Sequence, residues 1–124
     1  MSCDPVYWTR IVNKTGTNII MELEFDKAAI EAEWNGRPYI SYLEGRLNGG
    51  GTTILFDTLK LISKTSLAPN ESFELEGGIG SRPKFFAIKK LTIYAKDTLI
   101  FDSKEKMKKA FKEVGNGNFA LEIQ

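Results

Sequence analysis

Apolar and polar residues alternate over residues 17–25, near the start of the chain. Alternation with a period of two indicates a strand with one buried face. Residues 6–12 are rich in β-branched and aromatic side chains and lead into a turn-like sequence at residues 13–16. The two segments therefore predict an antiparallel hairpin. The apolar face of its second strand consists of Ile19, Met21, Leu23 and Phe25.

The next segment, residues 26–34, supports two interpretations. Its alanines and glutamates favour a helix, whereas its apolar residues alternate towards Trp34 and lead directly to Asn35-Gly36. Asn-Gly between two extended segments is a strong hairpin signal. We therefore favour a strand here, paired with residues 39–43 in a second hairpin, and keep a helix as the alternative.

Glycine and proline divide the middle of the chain into shorter segments. Residues 48–51 contain three consecutive glycines and predict a flexible loop. Residues 53–66 are long and apolar enough for one bent strand or two short strands, and residues 72–76 alternate again. Residues 77–83 hold three glycines and a proline, which predicts a second loop.

The C-terminal third has the clearest signals. Residues 91–95 and 98–101 predict a tight hairpin. Asp102, with Glu105 three residues later, matches the capping box that begins many helices, and Gly115 is a typical helix stop. These signals predict a helix over about residues 103–114, followed by a closing strand. The helix carries the apolar face Met107, Ala110, Phe111 and Val114, and the closing strand alternates through Phe119, Leu121 and Ile123.

Together these elements predict a mainly β fold. The strands form an antiparallel sandwich-like arrangement or a strongly curved sheet, with one C-terminal helix packed on it. At 124 residues the chain fits one domain. We expect residues 6–124 to form this single β-rich domain and residues 1–5 to act as an N-terminal tether.

Composition narrows the classes of function. The net charge of +1 argues against a nucleic-acid-binding protein, which carries a strongly basic face. The chain has no histidine, the commonest general base and metal ligand, and one cysteine, so no internal disulfide or thiolate metal cage can form. Its apolar runs are far shorter than a membrane span. We therefore expect a non-enzymatic protein without metal or cofactor.

The single cysteine, Cys3, lies in the sequence Ser2-Cys3-Asp4-Pro5. A small residue such as Ser2 precedes the lipidated cysteine in bacterial lipoprotein signals, so the sequence predicts lipidation at Cys3. A lone terminal cysteine in an otherwise cysteine-free chain also suits an exported protein. The alternative is an incidental thiol at a frayed terminus.

Residues 2–4, 11–16 and 97–111 resemble segments of the small lipoproteins of Bacteroidetes-type bacteria. These proteins often begin with Ser-Cys-Asp, continue into a strand similar to Val-Asn-Lys-Thr, and end in an Asp-Thr-Leu-Ile-Phe hairpin and a lysine-rich helix. The resemblance implies a protein of the bacterial cell envelope (periplasm or outer membrane), attached to the membrane through a lipid anchor, often with a β-sandwich-like body. It implies no catalytic residues.

Two basic or glycine-rich features have an ordinary and a functional interpretation. Residues 77–83 are similar to a phosphate-binding loop, but Pro83 and Phe85-Phe86 follow where such a loop needs a helix to begin, so a plain loop is favoured. The lysines of the C-terminal helix could bind anionic lipid, but their spacing favours a solvated face. They are Lys104, Lys106, Lys108, Lys109 and Lys112.

Acidic and aromatic residues give two further alternatives. Glutamate pairs at period two, such as Glu22/Glu24 and Glu74/Glu76, could perform glycosidase chemistry, although solvent-facing sides of strands explain them more simply. Trp34, Tyr39 and Tyr42, with Trp8, could stack on a sugar, although core packing is the usual role of large aromatics.

The leading functional hypothesis is a non-enzymatic, envelope-associated binding or interaction module, tethered through Cys3. Its partner would be an unknown protein or a glycan, in addition to the membrane. The alternatives are a carbohydrate-binding module that uses Trp34, Tyr39 and Tyr42, and a small carboxylate-based hydrolase.

Overall fold

The computed structural model describes residues 5–124, which form two sheets and three α-helices. A mainly β fold is therefore confirmed. The strands are β1 (Val6–Asn13), β2 (Ile19–Phe25), β3 (Thr52–Asp57), β4 (Ile62–Leu67), β5 (Ser72–Ile79), β6 (Ile88–Tyr94), β7 (Thr98–Phe101), β8 (Lys112–Gly115) and β9 (Asn118–Ile123). The helices are α1 (Lys27–Trp34), α2 (Ile40–Arg46) and α3 (Lys104–Ala110).

The two sheets share one hydrophobic core. The first sheet has the strand order β5-β1-β9-β8, and the second has the order β3-β4-β2-β6-β7. Every pairing is antiparallel except that of β1 with β9. Buried side chains from both sheets and all three helices belong to a single cluster, so apolar burial holds the two sheets together. Within residues 5–124, no helix combines the length and apolar character needed to cross a membrane.

The predicted hairpin of β1 with β2 is wrong, because the two strands belong to different sheets. Both strands bury alternate residues, as their sequences indicate. Alternation identifies the buried face of a strand but not its partner, which explains the error. Asn13, fully buried at the crossing point, donates hydrogen bonds to the carbonyl oxygens of Thr17 (2.8 Å) and Leu67 (2.9 Å), and these bonds fix the passage between the sheets.

The predicted strand over residues 26–34 and the hairpin after it are also wrong. This segment is helix α1, capped by Asp26, whose side chain accepts a hydrogen bond from the Ala29 amide at 3.1 Å. Asn35 adopts the left-handed conformation (φ 48°) and ends the helix, with its amide donating to the Glu31 carbonyl at 2.9 Å. Asn-Gly therefore acts here as a helix C-cap, a role that the same conformational preference permits.

The C-terminal helix is shorter than predicted and is not the only helix. Ser103, rather than Asp102, caps α3 by accepting from the Lys106 amide at 3.2 Å, while Asp102 pairs with the Lys106 ammonium at 2.7 Å. The helix ends before Phe111, and β8 follows where its last turn was expected. The predicted hairpin of β6 with β7 and the closing strand β9 are confirmed, although β9 lies in the other sheet, beside β1.

The first glycine-rich segment connects α2 to β3 as a loop, as predicted, whereas the second is a loop only in part. The first segment includes a short 3-10 turn (Leu47–Gly49), and Gly50 and Gly51 follow it with φ of +146° and +64°. A side chain at Gly50 would overlap the Ser72 carbonyl oxygen, so the glycines allow close packing against β5. In the second segment, β5 continues through Ile79, and the loop begins at Gly80. Residues 53–66 form two strands, as one of the alternatives predicted.

Candidate functional site

A cleft of about 1070 Å³ opens at one end of the molecule, between the loop after β5, helix α3 and strand β8. This volume is slightly above the usual range of small-molecule sites, roughly 300–1,000 Å³. We call it the basic cleft. Its lining consists of residues 80–84 from the loop, Glu105, Lys108 and Lys109 from α3, Lys112 and Glu113 from β8, and Phe111 and Phe119 beneath them.

The floor of the basic cleft is apolar. Phe111 and Phe119 are almost completely buried, and Pro83 is buried beside them. Phe111 packs against Phe85, with the ring centroids 5.1 Å apart. Because the chain leaves α3 in an extended conformation at Phe111, this side chain points into the core while Lys112 stays exposed at the rim.

The rim of the basic cleft is cationic. Five cationic and two acidic side chains line it, a local excess of three positive charges. Lys108 lies 3.7 Å from Glu105. Among residues 5–124, no carboxylate lies within 4.0 Å of the four remaining cations, which are Arg82, Lys84, Lys109 and Lys112. Uncompensated cations around a concave site produce a positive potential that attracts anions.

A buried carboxylate, Glu76, fixes the loop that forms one wall of the cleft. One of its oxygens accepts hydrogen bonds from the Tyr7 hydroxyl and the Phe85 amide, both at 2.9 Å. The other oxygen accepts from the Phe86 amide at 3.1 Å. Charge-assisted bonds of this kind are strong, and both oxygens serve the structure of the loop. Glu76 is therefore an anchor for the cleft wall.

Sequence reasoning placed Glu76 on the solvent-facing side of its strand with Glu74, and this interpretation is wrong. Thr9 is opposite Glu76 while Arg10 is opposite Glu74, so Leu75 is an extra residue in β5. This bulge turns both Leu75 and Glu76 inward. The glycines that follow Glu76 were the available signal, since glycine within a strand often marks a bulge. The interpretation holds for Glu22 and Glu24, which pair with Lys64 and Lys89.

Tyr7, the hydroxyl partner of Glu76, has a perturbed pKa. Burial, and then the negative charge and hydrogen bond of Glu76, raise the pKa of Tyr7 from 10.0 to about 12.

The raised pKa of Tyr7 predicts that the stability of the fold depends on pH. Because the folded-state pKa lies above the unfolded one, the protonated Tyr7 hydroxyl stabilises the folded state fully below about pH 10, and this stabilisation is lost as the pH rises towards 12. Between pH 10 and pH 12, we expect the free energy of unfolding of the parent to fall by roughly 2 kcal/mol more than that of Tyr7→Phe. Urea unfolding of both proteins from pH 9 to pH 12 measures the difference, and parallel pH profiles would contradict this prediction.

The three aromatic residues predicted to form a sugar platform have different surroundings. The Trp34 and Tyr42 rings contact each other, with centroids 5.2 Å apart, and both Trp34 and Tyr39 pack against the core. The Arg37 guanidinium lies over the Trp34 ring at 5.2 Å, and only Tyr42 of the three is exposed. Sugar binding at these residues stays a prediction.

A smaller cavity of about 390 Å³ lies beside Tyr42, between α2 and β5. Arg46 in its wall already donates a hydrogen bond to the Leu75 carbonyl oxygen at 2.6 Å. The exposed Glu74 carboxylate lines the same cavity. The single cation of this cavity is therefore already hydrogen-bonded and has a carboxylate in the same lining, so the cavity is less suited to an anion than the basic cleft.

Cys3 lies outside the described residues, so its predicted lipidation stays a prediction. Pro5, the first described residue, accepts a hydrogen bond through its carbonyl oxygen from the Gly80 amide at 2.7 Å. Gly80 lines the basic cleft, so the chain enters the fold next to this site. Within residues 5–124, no group of three or more Cys, Asp or Glu side chains is arranged to hold a metal ion.

No family model matches the chain, and neither a curated protein nor a solved structure matches it.

Proposed function

We propose that this protein is a non-enzymatic binding module of the bacterial cell envelope, tethered through Cys3, with its two sheets stacked as a sandwich. Its binding site is the basic cleft, and its ligand carries an anionic group together with an apolar portion. The observation that carries the proposal is a combination of two features: four cations that have no carboxylate within 4.0 Å among residues 5–124, and a floor of Phe111 and Phe119.

The hydrogen bonding of the buried carboxylate supports the proposal of a binding role rather than a catalytic role. Glu76 is the one buried acidic residue among residues 5–124, and both of its oxygens accept hydrogen bonds from the fold. The cleft itself presents ammonium and guanidinium groups, which are donors for an anion and poor nucleophiles while protonated. Recognition of an anion needs only the hydrogen-bond donors and positive charges that these groups provide.

Calorimetric titration with octyl phosphate below its micellar concentration tests the cleft assignment. We expect octyl phosphate to bind more tightly than inorganic phosphate or octanol, because only octyl phosphate uses both rim and floor. The double variant Lys109→Gln, Lys112→Gln should bind octyl phosphate roughly tenfold more weakly, a change of about 1.4 kcal/mol.

The matched control is Lys60→Gln, Lys96→Gln, which removes the same charge from exposed lysines outside the cleft. This control should bind like the parent. Equal affinities of the two double variants would contradict the cleft assignment.

The lipid anchor is tested separately, in the native cell. Metabolic labelling with an alkyne fatty acid should label the parent protein and should not label a Cys3→Ser variant. Equal labelling of the two proteins, or no labelling of the parent, would contradict the tether without affecting the cleft.

A further inference from the structure

Exposed apolar side chains lie at the same end of the molecule as the basic cleft. Val6 is 53% exposed, Ile79 is 64% exposed, and the two face each other across β1 and β5. Trp8, 49% exposed, lies opposite Gly77, where a larger residue would overlap the indole ring. Large apolar side chains exposed next to one another mark an interaction surface rather than a solvated one.

Backbone contacts connect this apolar group to the cleft. Ile79 directly precedes Gly80, which lines the cleft and donates its amide to Pro5. On the other side, the Trp8 amide donates to the Gly117 carbonyl oxygen at 2.9 Å, just beyond β8. Val114 of β8 is a further exposed apolar residue, two positions after Lys112. We call this surface the docking end, defined by Val6, Trp8, Ile79 and Val114 together with Arg82, Lys84, Lys109 and Lys112.

We propose that the docking end binds the surface of an anionic bilayer and that the basic cleft takes the headgroup phosphate of an anionic phospholipid. This inference rests on the proposed function, because it names the ligand class of the same cleft.

The apolar and cationic side chains of the docking end suit the surface of an anionic bilayer, which has an apolar interior and negatively charged headgroups. Indole rings favour the interface between headgroups and acyl chains, where one edge is apolar and the other is hydrated. Lysine and arginine side chains beside them reach the phosphates while their aliphatic stems remain in apolar surroundings. Anionic lipids supply the negative charge that the four cations lack within residues 5–124.

The position of Pro5, beside Gly80 of the cleft, agrees with this orientation. Cys3 is two residues from Pro5, a distance of at most about 7 Å of extended chain. An acyl chain on Cys3 would therefore enter the bilayer beside the docking end. One acyl chain gives only marginal membrane attachment, and a second signal such as a cationic patch makes it stable.

Co-sedimentation of the unlipidated protein, residues 1–124, with lipid vesicles tests the inference. We expect binding to vesicles of phosphatidylglycerol and phosphatidylcholine that is roughly tenfold tighter than binding to phosphatidylcholine alone, and that weakens as salt is added. The double variant Lys109→Gln, Lys112→Gln should lose most of the preference for phosphatidylglycerol, whereas Lys60→Gln, Lys96→Gln should retain it.

A second pair of variants tests the apolar part of the docking end. Ile79→Ser should weaken vesicle binding. Leu59→Ser should not, because Leu59, although 84% exposed, lies in the turn between β3 and β4, outside the docking end. Vesicles should also shift the tryptophan emission to shorter wavelength in the parent but not in Trp8→Phe, in which Trp34 is the remaining tryptophan.

The outcomes separate this inference from the proposed function. Octyl phosphate binding without vesicle binding would overturn the bilayer assignment, leave the cleft assignment intact, and favour an acidic segment of a protein partner. If the double variant Lys109→Gln, Lys112→Gln and the single variant Ile79→Ser both bind vesicles like the parent, the docking end is not the membrane-binding surface. Absence of binding to octyl phosphate and to vesicles would overturn both proposals.

Discussion

Replacement of Phe111 by alanine should lower the free energy of unfolding by about 3–5 kcal/mol, the usual cost of deleting a buried phenylalanine side chain. Phe111 is 3% exposed and packs against Phe85, and it also belongs to the hydrophobic core that both sheets share. The domain as a whole is expected to have a stability of about 5–15 kcal/mol, so the variant should be close to unfolding. Urea unfolding measures the change.

Val114→Ala is the matched control for Phe111→Ala. The sequence places Val114 on the same apolar stripe as Phe111, but the structure leaves it 55% exposed on β8. We expect this change to cost less than about 0.5 kcal/mol. Equal unfolding midpoints for Phe111→Ala and the parent would show that Phe111 is not a core residue and would contradict the structure of the cleft floor.

Replacement of Glu76 by glutamine should lower the free energy of unfolding by about 2–4 kcal/mol. The carboxylate accepts from the Tyr7 hydroxyl and from the Phe85 and Phe86 amides. A glutamine amide group has one acceptor oxygen and would turn its NH₂ towards at least one of these donors, which would leave that donor unsatisfied in a buried position. Thermal or urea unfolding measures the loss.

The same substitution has a consequence for the cleft. Glu76 accepts hydrogen bonds from Phe85 and Phe86, directly after the loop that lines the cleft. We therefore expect Glu76→Gln to weaken octyl phosphate binding as well as to lower the free energy of unfolding. The exposed Glu74→Gln on the same strand removes the same charge and should change stability by less than about 0.5 kcal/mol. A Glu76→Gln protein as stable as Glu74→Gln would contradict the anchoring role.

The sequence identified most strands but not their partners. The alternation in β2 correctly predicted a strand with one buried face, and the same pattern is compatible with either sheet. The pairing involves contacts that leave no periodic signal, such as the hydrogen bond from the buried Asn13 side chain to Leu67, 54 residues away in the chain. Tertiary contacts of this kind are invisible to a local pattern.

The Asn35-Gly36 error has a different physical origin. Asparagine and glycine are favoured wherever the backbone needs a positive φ, and this requirement is met both in a hairpin turn and at the end of a helix. The decisive signal was the Asp26 side chain, which caps α1, together with the high helix propensity of the alanines after it.

The cleft could be predicted only in part. Both of its main segments, the glycine-rich loop and the lysine-rich helix, are recognisable in the sequence, which favours a plain loop for the first and a solvated face for the second. What the sequence does not contain is their proximity: residues 80–84 and 105–113 form one site only because the chain crosses between the sheets. The net charge of +1 also conceals the local excess of three positive charges.

A two-dimensional ¹H–¹⁵N NMR titration with octyl phosphate tests most directly whether the basic cleft is the binding site. We predict that the largest chemical-shift changes occur at the backbone amides of Gly80, Ser81, Arg82, Lys109 and Lys112, with saturation at a single affinity. The largest changes at Tyr42, Arg46 and their neighbours around the smaller cavity, or small changes spread over the surface without saturation, would contradict the assignment.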